Sequence, residues 1–191
     1  MNVAVPFPLM FRAIACCAVM ASCAPSITST VTSHPVSAKE RDLADQILAQ
    51  TEGYRKAKGS APLQRNMALD RMATEHSQFL MANRGKFRIY GPNISHYGVE
   101  NRAMSARYAY GMDQISENVV AAPLQGPSTA SYLVGLWKES PSHDFNLRHT
   151  WTNTGVGVAI DGDGTAFVTQ LFGSQSRGPS HMAMLDSLKA H

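Results

Sequence analysis

Apolar positions recur at helical spacing through the first two thirds of the chain and alternate in the last third. Ser37, followed three residues later by Glu40, forms a capping box at the start of a first helix. Leu43, Ile47, Leu48 and Tyr54 keep the helical period, and Gly59 stops it. A second helix is predicted from about Asn66 to Arg84, ended by Gly85. Its stripe of Leu69, Met72, Ala73, His76, Phe79 and Leu80 falls on one face. A shorter helix is predicted over Glu100 to Tyr110, and a strand over Gln114 to Ala122, with Ile115, Val119 and Val120 as its apolar positions. Pro127-Ser128 opens a further helix through Leu133, Leu136 and Trp137, with Pro141 as its stop.

After this the period becomes two. Val156, Val158 and Ile160 alternate with Gly157 and Ala159, and Phe167, Val168, Leu171 and Phe172 form a second run. Asp161-Gly162-Asp163-Gly164 between them is the clearest hairpin signal in the chain. These four residues lack the twelve-residue ligand spacing and closing glutamate of a calcium loop, so a turn is expected. Helices followed by strands predict an α+β domain, a small antiparallel sheet with helices covering it.

The two ends of the chain break this pattern. Arg12 is the only charged residue before Lys39, and Ala13 to Ala21 is an apolar run too short to span a bilayer as a helix. This is the layout of a secretory signal peptide. The run ends in Met20-Ala21-Ser22-Cys23, which looks like a bacterial lipobox. That resemblance implies a signal over residues 1–22, lipidation of Cys23 and a membrane as partner through the acyl chains. With Ala24 rather than aspartate next, it also implies a cell-envelope lipoprotein, in the outer membrane if the cell is Gram-negative. Ordinary cleavage near Ala21 or Ala24 would give a secreted protein instead. Residues 23–38 are rich in Ser, Thr and Pro and read as a tether, residues 39–173 as the folded domain, and residues 174–191 as a polar tail with an apolar patch from Met182 to Leu188.

Composition narrows the chemistry. The 191 residues suit one domain and 44% of them are hydrophobic, so global disorder is not expected. All three cysteines lie at or before Cys23, which excludes a disulfide scaffold, a zinc finger or a cysteine nucleophile in the body of the protein. The formal charge is +3, and loss of the signal leaves 16 basic residues against 14 acidic, or +2. With no clustered basic stripe, nucleic acid is not an expected partner. A monomer is expected.

The remaining candidates are histidines and carboxylates. His96 falls in a loop between helices, Glu117 at the edge of an apolar strand, and Glu139 and His143 share the segment after Trp137. Imidazole nitrogen and carboxylate oxygen are the usual non-thiolate ligands of zinc and can also serve as general acid and base. The sequence contains no H-E-x-x-H, G-x-S-x-G, P-loop or G-x-G-x-x-G pattern. His76 lies on the apolar stripe of the second helix, which favours a core or supporting role. Ser140, separated from His143 by Pro141 and without flanking glycines, does not make a hydrolase elbow.

A set of short motifs carries a family resemblance. They are Tyr54-Arg55 before Gly59 and Pro62-Leu63; Leu69, Ala73, His76-Ser77 and Met81; Ser95-His96 with Gly98 and Arg102; Glu117-Asn118; Trp137 followed by Ser140-Pro141-Ser142-His143 and Asn146-Leu147; Gly155-Val156-Gly157-Val158; and Thr169-Gln170 with Phe172-Gly173. Their order and spacing resemble the bacterial branch of the CAP superfamily, named for cysteine-rich secretory proteins, antigen 5 and pathogenesis-related 1. The resemblance implies an α-β-α sandwich with a cleft containing His96, Glu117 and His143. Glu139 is two residues after the tryptophan, where the eukaryotic members place their acid three residues after it. No histidine precedes Thr169-Gln170 as it does in those members, and their disulfide cysteines are absent. The expected function is binding of a divalent metal, such as zinc, or of a small or lipid ligand in the envelope. Metal-assisted hydrolysis in the same cleft and a non-catalytic interaction module are the alternatives.

Overall fold

The computed structural model describes residues 34–86 and 96–175. The signal, Cys23, most of the tether and the apolar patch of the tail lie outside the described residues. Among those described, no helix is long and apolar enough to cross a membrane.

Helix α1 covers Ala38–Ala57, with Ser37 and Glu40 making the expected reciprocal cap. The other oxygen of Glu40 accepts from the Ile160 amide, so the cap also ties α1 to the sheet. A two-residue strand β1 (Gln64–Arg65) leads into α2 (Met67–Ala82). Asn66 caps α2 by accepting from the amides of Ala68 and Leu69. Helix α3 (Val99–Tyr110) lies between two left-handed glycines, Gly98 and Gly111. The long strand β2 (Met112–Pro123), a 3-10 turn (Gly126–Ser128) and α4 (Thr129–Glu139) follow. Pro141 does more than end that helix. It occupies the first turn of a separate helix α5 (Pro141–Arg148), where its missing N–H costs nothing. The hairpin of β3 (Asn153–Ile160) and β4 (Thr165–Gln175) forms as expected. Asp161 accepts from the amides of Asp163 and Thr165, and Arg84 pairs with both turn aspartates.

The sheet order is β1-β3-β4-β2. The three long strands are antiparallel as expected, and β1 adds a short parallel edge beside β3, making the sheet mixed. The pleat separates two faces. Thr169 accepts from Ser77 of α2, whereas Gln170 accepts from Thr51 of α1. Glu117 and Gly155 both pair with Leu171, so this row shares the α2 face with Thr169. Asn118 and Val156 pair with Gln170 and share the α1 face. Helices α1, α4 and α5 thus cover one face and α2 and α3 the other, the sandwich that the resemblance implied.

Gly155 and Gly157 explain the Gly-Val-Gly-Val motif. A Cβ on Gly157 would lie 2.0 Å from the Thr74 amide nitrogen, and one on Gly155 would lie 2.3 Å from that of Asp70. The α2 backbone therefore rests directly on β3. The larger core joins Leu43 and Ile47 of α1, Leu133 and Trp137 of α4, and Val156, Phe167 and Phe172 of the sheet. A smaller cluster of Leu69, Met72, Ala73, Ala106, Met112 and Leu171 lies beneath α2 and α3. Arg55, fully buried on α1, donates to the carbonyls of Ala61, Leu147 and His149. Its guanidinium binds the C-terminal carbonyls of α5, where cations are favoured.

Candidate functional site

Glu117 projects from β2 toward α2 and α3, and its side chain is only 1% exposed. A buried carboxylate needs charge compensation, and Arg102 of α3 supplies it in bidentate form: Nε donates to Oε2 at 2.7 Å and Nη2 to Oε1 at 2.8 Å. The His96 Nδ1 lies 2.9 Å from Oε1, and the buried His76 Nε2 lies 3.8 Å from the same oxygen. Burial pushes the Glu117 carboxyl up. The hydrogen bond from His96 and the charges of His76 and Arg102 outweigh it and hold the group below the usual carboxylate range. Arg102 also donates through Nη1 to the Tyr97 carbonyl, fixing the segment that carries His96. His76 stacks on Phe79, and Phe79 on Tyr97, which holds the segment from the α2 side.

His143 arrives from the other face. It lies in the first turns of α5, whose position on β2 is set by three polar contacts. Asn118 donates to the His143 carbonyl at 3.1 Å, Asn146 donates to Asn118 at 2.9 Å, and Ser116 donates to Asn146 at 2.8 Å. Because β2 is an edge strand, a helix on one face and a loop on the other can approach around it. The His96 and His143 ring centroids are 6.2 Å apart, tilted by 49°. Burial, followed by the charge of His96, lowers the His143 imidazole below the ordinary histidine value, favouring its neutral form.

His96, Glu117 and His143, expected to share a cleft, are therefore brought together. Glu139 is exposed at the end of α4, and among the described residues no hydrogen bond or ion pair links it to this cluster. Ser140 pairs with Ser142, which gives no serine–histidine couple. Among the described residues no three His, Cys, Asp or Glu side chains make a complete metal-binding group. Both Glu117 oxygens are engaged by Arg102. A space of about 360 Å³ opens beside His96, lined by residues 96–101 at the start of α3. Sequence reasoning placed Arg102 in a motif without assigning it a role. The available signal was the carboxylate itself, which could be buried at Glu117 only with a cation to match it.

A family model described as the cysteine-rich secretory protein family, CAP, matches residues 48–172, well over half of the chain. The chain belongs to the CAP family. Solved structures share this fold. An outer surface protein of Borrelia burgdorferi superposes with a TM-score of 0.61 at 19% identity, covering 75% of this chain and 98% of its own. An extracellular protein containing an SCP domain from Bacillus anthracis gives 0.53 at 23% identity, covering 75% of this chain and 45% of its own. A cysteine-rich secretory protein of Staphylococcus aureus gives 0.55 at 14% identity, with coverages of 75% and 42%. The CAP domain here thus corresponds to less than half of the last two chains. No protein of curated function matches the sequence.

Proposed function

We propose that this CAP protein is exported, is held at the cell envelope by a lipid on Cys23, and binds a divalent metal through His96 and His143. The observation that carries the metal reading is the hydrogen bond from His96 Nδ1 to the buried Glu117 carboxylate. A carboxylate acceptor favours the proton on Nδ1, so that Nε2, on a side chain 41% exposed, carries the lone pair. Carboxylate support of this kind orients metal-bound histidines and raises their basicity. The donor set fits. Two imidazoles on one zinc ion have centroids roughly 5–6 Å apart, given a metal–nitrogen distance of about 2.0 Å, and the pair here is at 6.2 Å. His143 is also favoured in the neutral form a metal requires. In this reading Glu117 orients His96 while Arg102 balances its charge. A bound metal would supply a Lewis acid to whatever ligand enters the cleft.

Calorimetric titration with zinc tests this. Binding is expected for the wild type and not for the His96→Ala, His143→Ala double variant, and Glu117→Gln is expected to weaken it by about 10–100-fold. Equal affinity in all three rejects the site. Export and anchoring rest on the signal pattern ending at Cys23, in keeping with an outer surface protein and an extracellular protein among the structural neighbours. A palmitate analogue should label the wild type and not Cys23→Ser.

A further inference from the structure

Helix α3 is anomalous for one layer of a sandwich. Of its twelve residues only Ala106 is buried. Its outer surface instead presents Met104 and Tyr108, one turn apart and 52% and 65% exposed. With Asn101, Ser105 and Ala109 they line an open groove of about 560 Å³. Contiguous exposed apolar surface is where a contact partner is sought first.

The course of the chain points to an occupant. Strand β4 ends at Gln175, whose Cα pairs with Met112, and Met112 directly follows Gly111, the C-cap of α3. The described chain therefore ends beside the C-terminal end of this helix, with residues 176–191 still to follow in the sequence. Within them Met184, Leu185 and Leu188 fall at helical spacing on one stripe of the sequence. Met184 lies nine positions after Gln175, a reach of up to roughly 30 Å. Met104 lies only about 10 Å along the axis from the end of α3. A short tether of this kind gives an effective concentration on the order of millimolar, so even a weak contact is well populated.

We propose that the C-terminal segment docks back on α3, seating Met184, Leu185 and Leu188 against Met104 and Tyr108. Hydrogen exchange on the full chain tests it, comparing the wild type with a Leu185→Asp, Leu188→Asp variant. Exchange within residues 103–109 is expected to accelerate by about fivefold or more, while α1 and the hairpin keep their wild-type rates. In a Cys16→Ser, Cys17→Ser, Cys23→Ser background, Tyr108→Cys and Leu185→Cys should form an intramolecular disulfide. Unchanged α3 exchange overturns the proposal, as does acceleration spread evenly over the domain. Protection that rises with protein concentration assigns the groove to a second copy instead. Protection that appears only with phosphatidylglycerol vesicles assigns it to a membrane, and either result displaces the tail.

Discussion

Helices α2 and α3 cover the same face of one sheet by opposite means. Eight residues of α2 are buried, and its backbone touches β3 because two glycines leave no Cβ in the way. Helix α3 buries one alanine, in the small cluster with Met112 and Leu171, and adds the Arg102–Glu117 pair to the sheet. The first contact is van der Waals packing, which tolerates no added volume. The second is a charge pair that holds only while both partners are ionised and bonded. The candidate site lies at the seam between these helices, so the rigid member positions His76 and the polar member positions Arg102 and the His96 segment. A rigid floor with a polar, less buried wall is an arrangement in which a cleft can adjust without disturbing the core.

The contrast can be broken most severely at the glycines. Gly157→Val places a branched side chain into the α2 backbone and is expected to cost more than about 4 kcal/mol, beyond the usual range for single substitutions. Chemical denaturation should show little folded protein. Arg102→Met strikes the polar wall and leaves Glu117 buried without its bidentate counter-charge, with an expected cost of about 3 kcal/mol at neutral pH. Its pH dependence sharpens the point. The folded-state value of Glu117 is depressed, so the stability it contributes is present above the unfolded value of about 4.3 and is lost as pH falls through the folded value. Urea midpoints of wild type and variant should therefore differ most above about pH 5 and converge in acid.

A smaller effect is expected at His143. Its folded value is lowered, so the unfolded chain binds a proton that the fold resists, and stability falls as pH drops through about 6.5. His143→Gln should flatten this trend between about pH 7 and 5, by less than one proton, or under about 1.4 kcal/mol per pH unit. An identical slope in both proteins would exclude the group. Smallest of all, Arg107→Ala on the exposed side of α3 should move thermal stability by no more than about 0.5 kcal/mol. A large loss there would mean that α3 is packed far more tightly than its exposure indicates.

The elements were legible wherever their causes are local. The capping box at Ser37, the stripe on α2 and the Asp-Gly turn of the hairpin each involve residues within a few positions of one another. Helix α5 was missed because Pro141 signals either an end or a beginning, and only the seating of Asn146 against Asn118 and Ser116 favours the latter. The parallel edge β1 was missed because two residues carry no period. Arg55 and Arg102 stood in the sequence only as members of short motifs, with no role assigned. One is the buried cap of α5 and the other the counter-charge of Glu117, roles that depend on partners far away in sequence.

The amino-acid sequence by itself determined four of the helices, the hairpin, the cysteine-free body and the histidine and carboxylate candidates, because periodicity, caps and turn residues act over a few positions. Only the tertiary structure decided which of those groups meet. Strand pleating sends Glu117 to one face and Asn118 to the other, and the edge position of β2 lets His96 and His143 converge around it. The close approach of α2 to β3 brings His76 in behind the carboxylate. The same arrangement commits Glu117 to Arg102 and leaves Glu139 outside the cleft, because a carboxylate taken out of water must find its countercharge in space rather than in sequence.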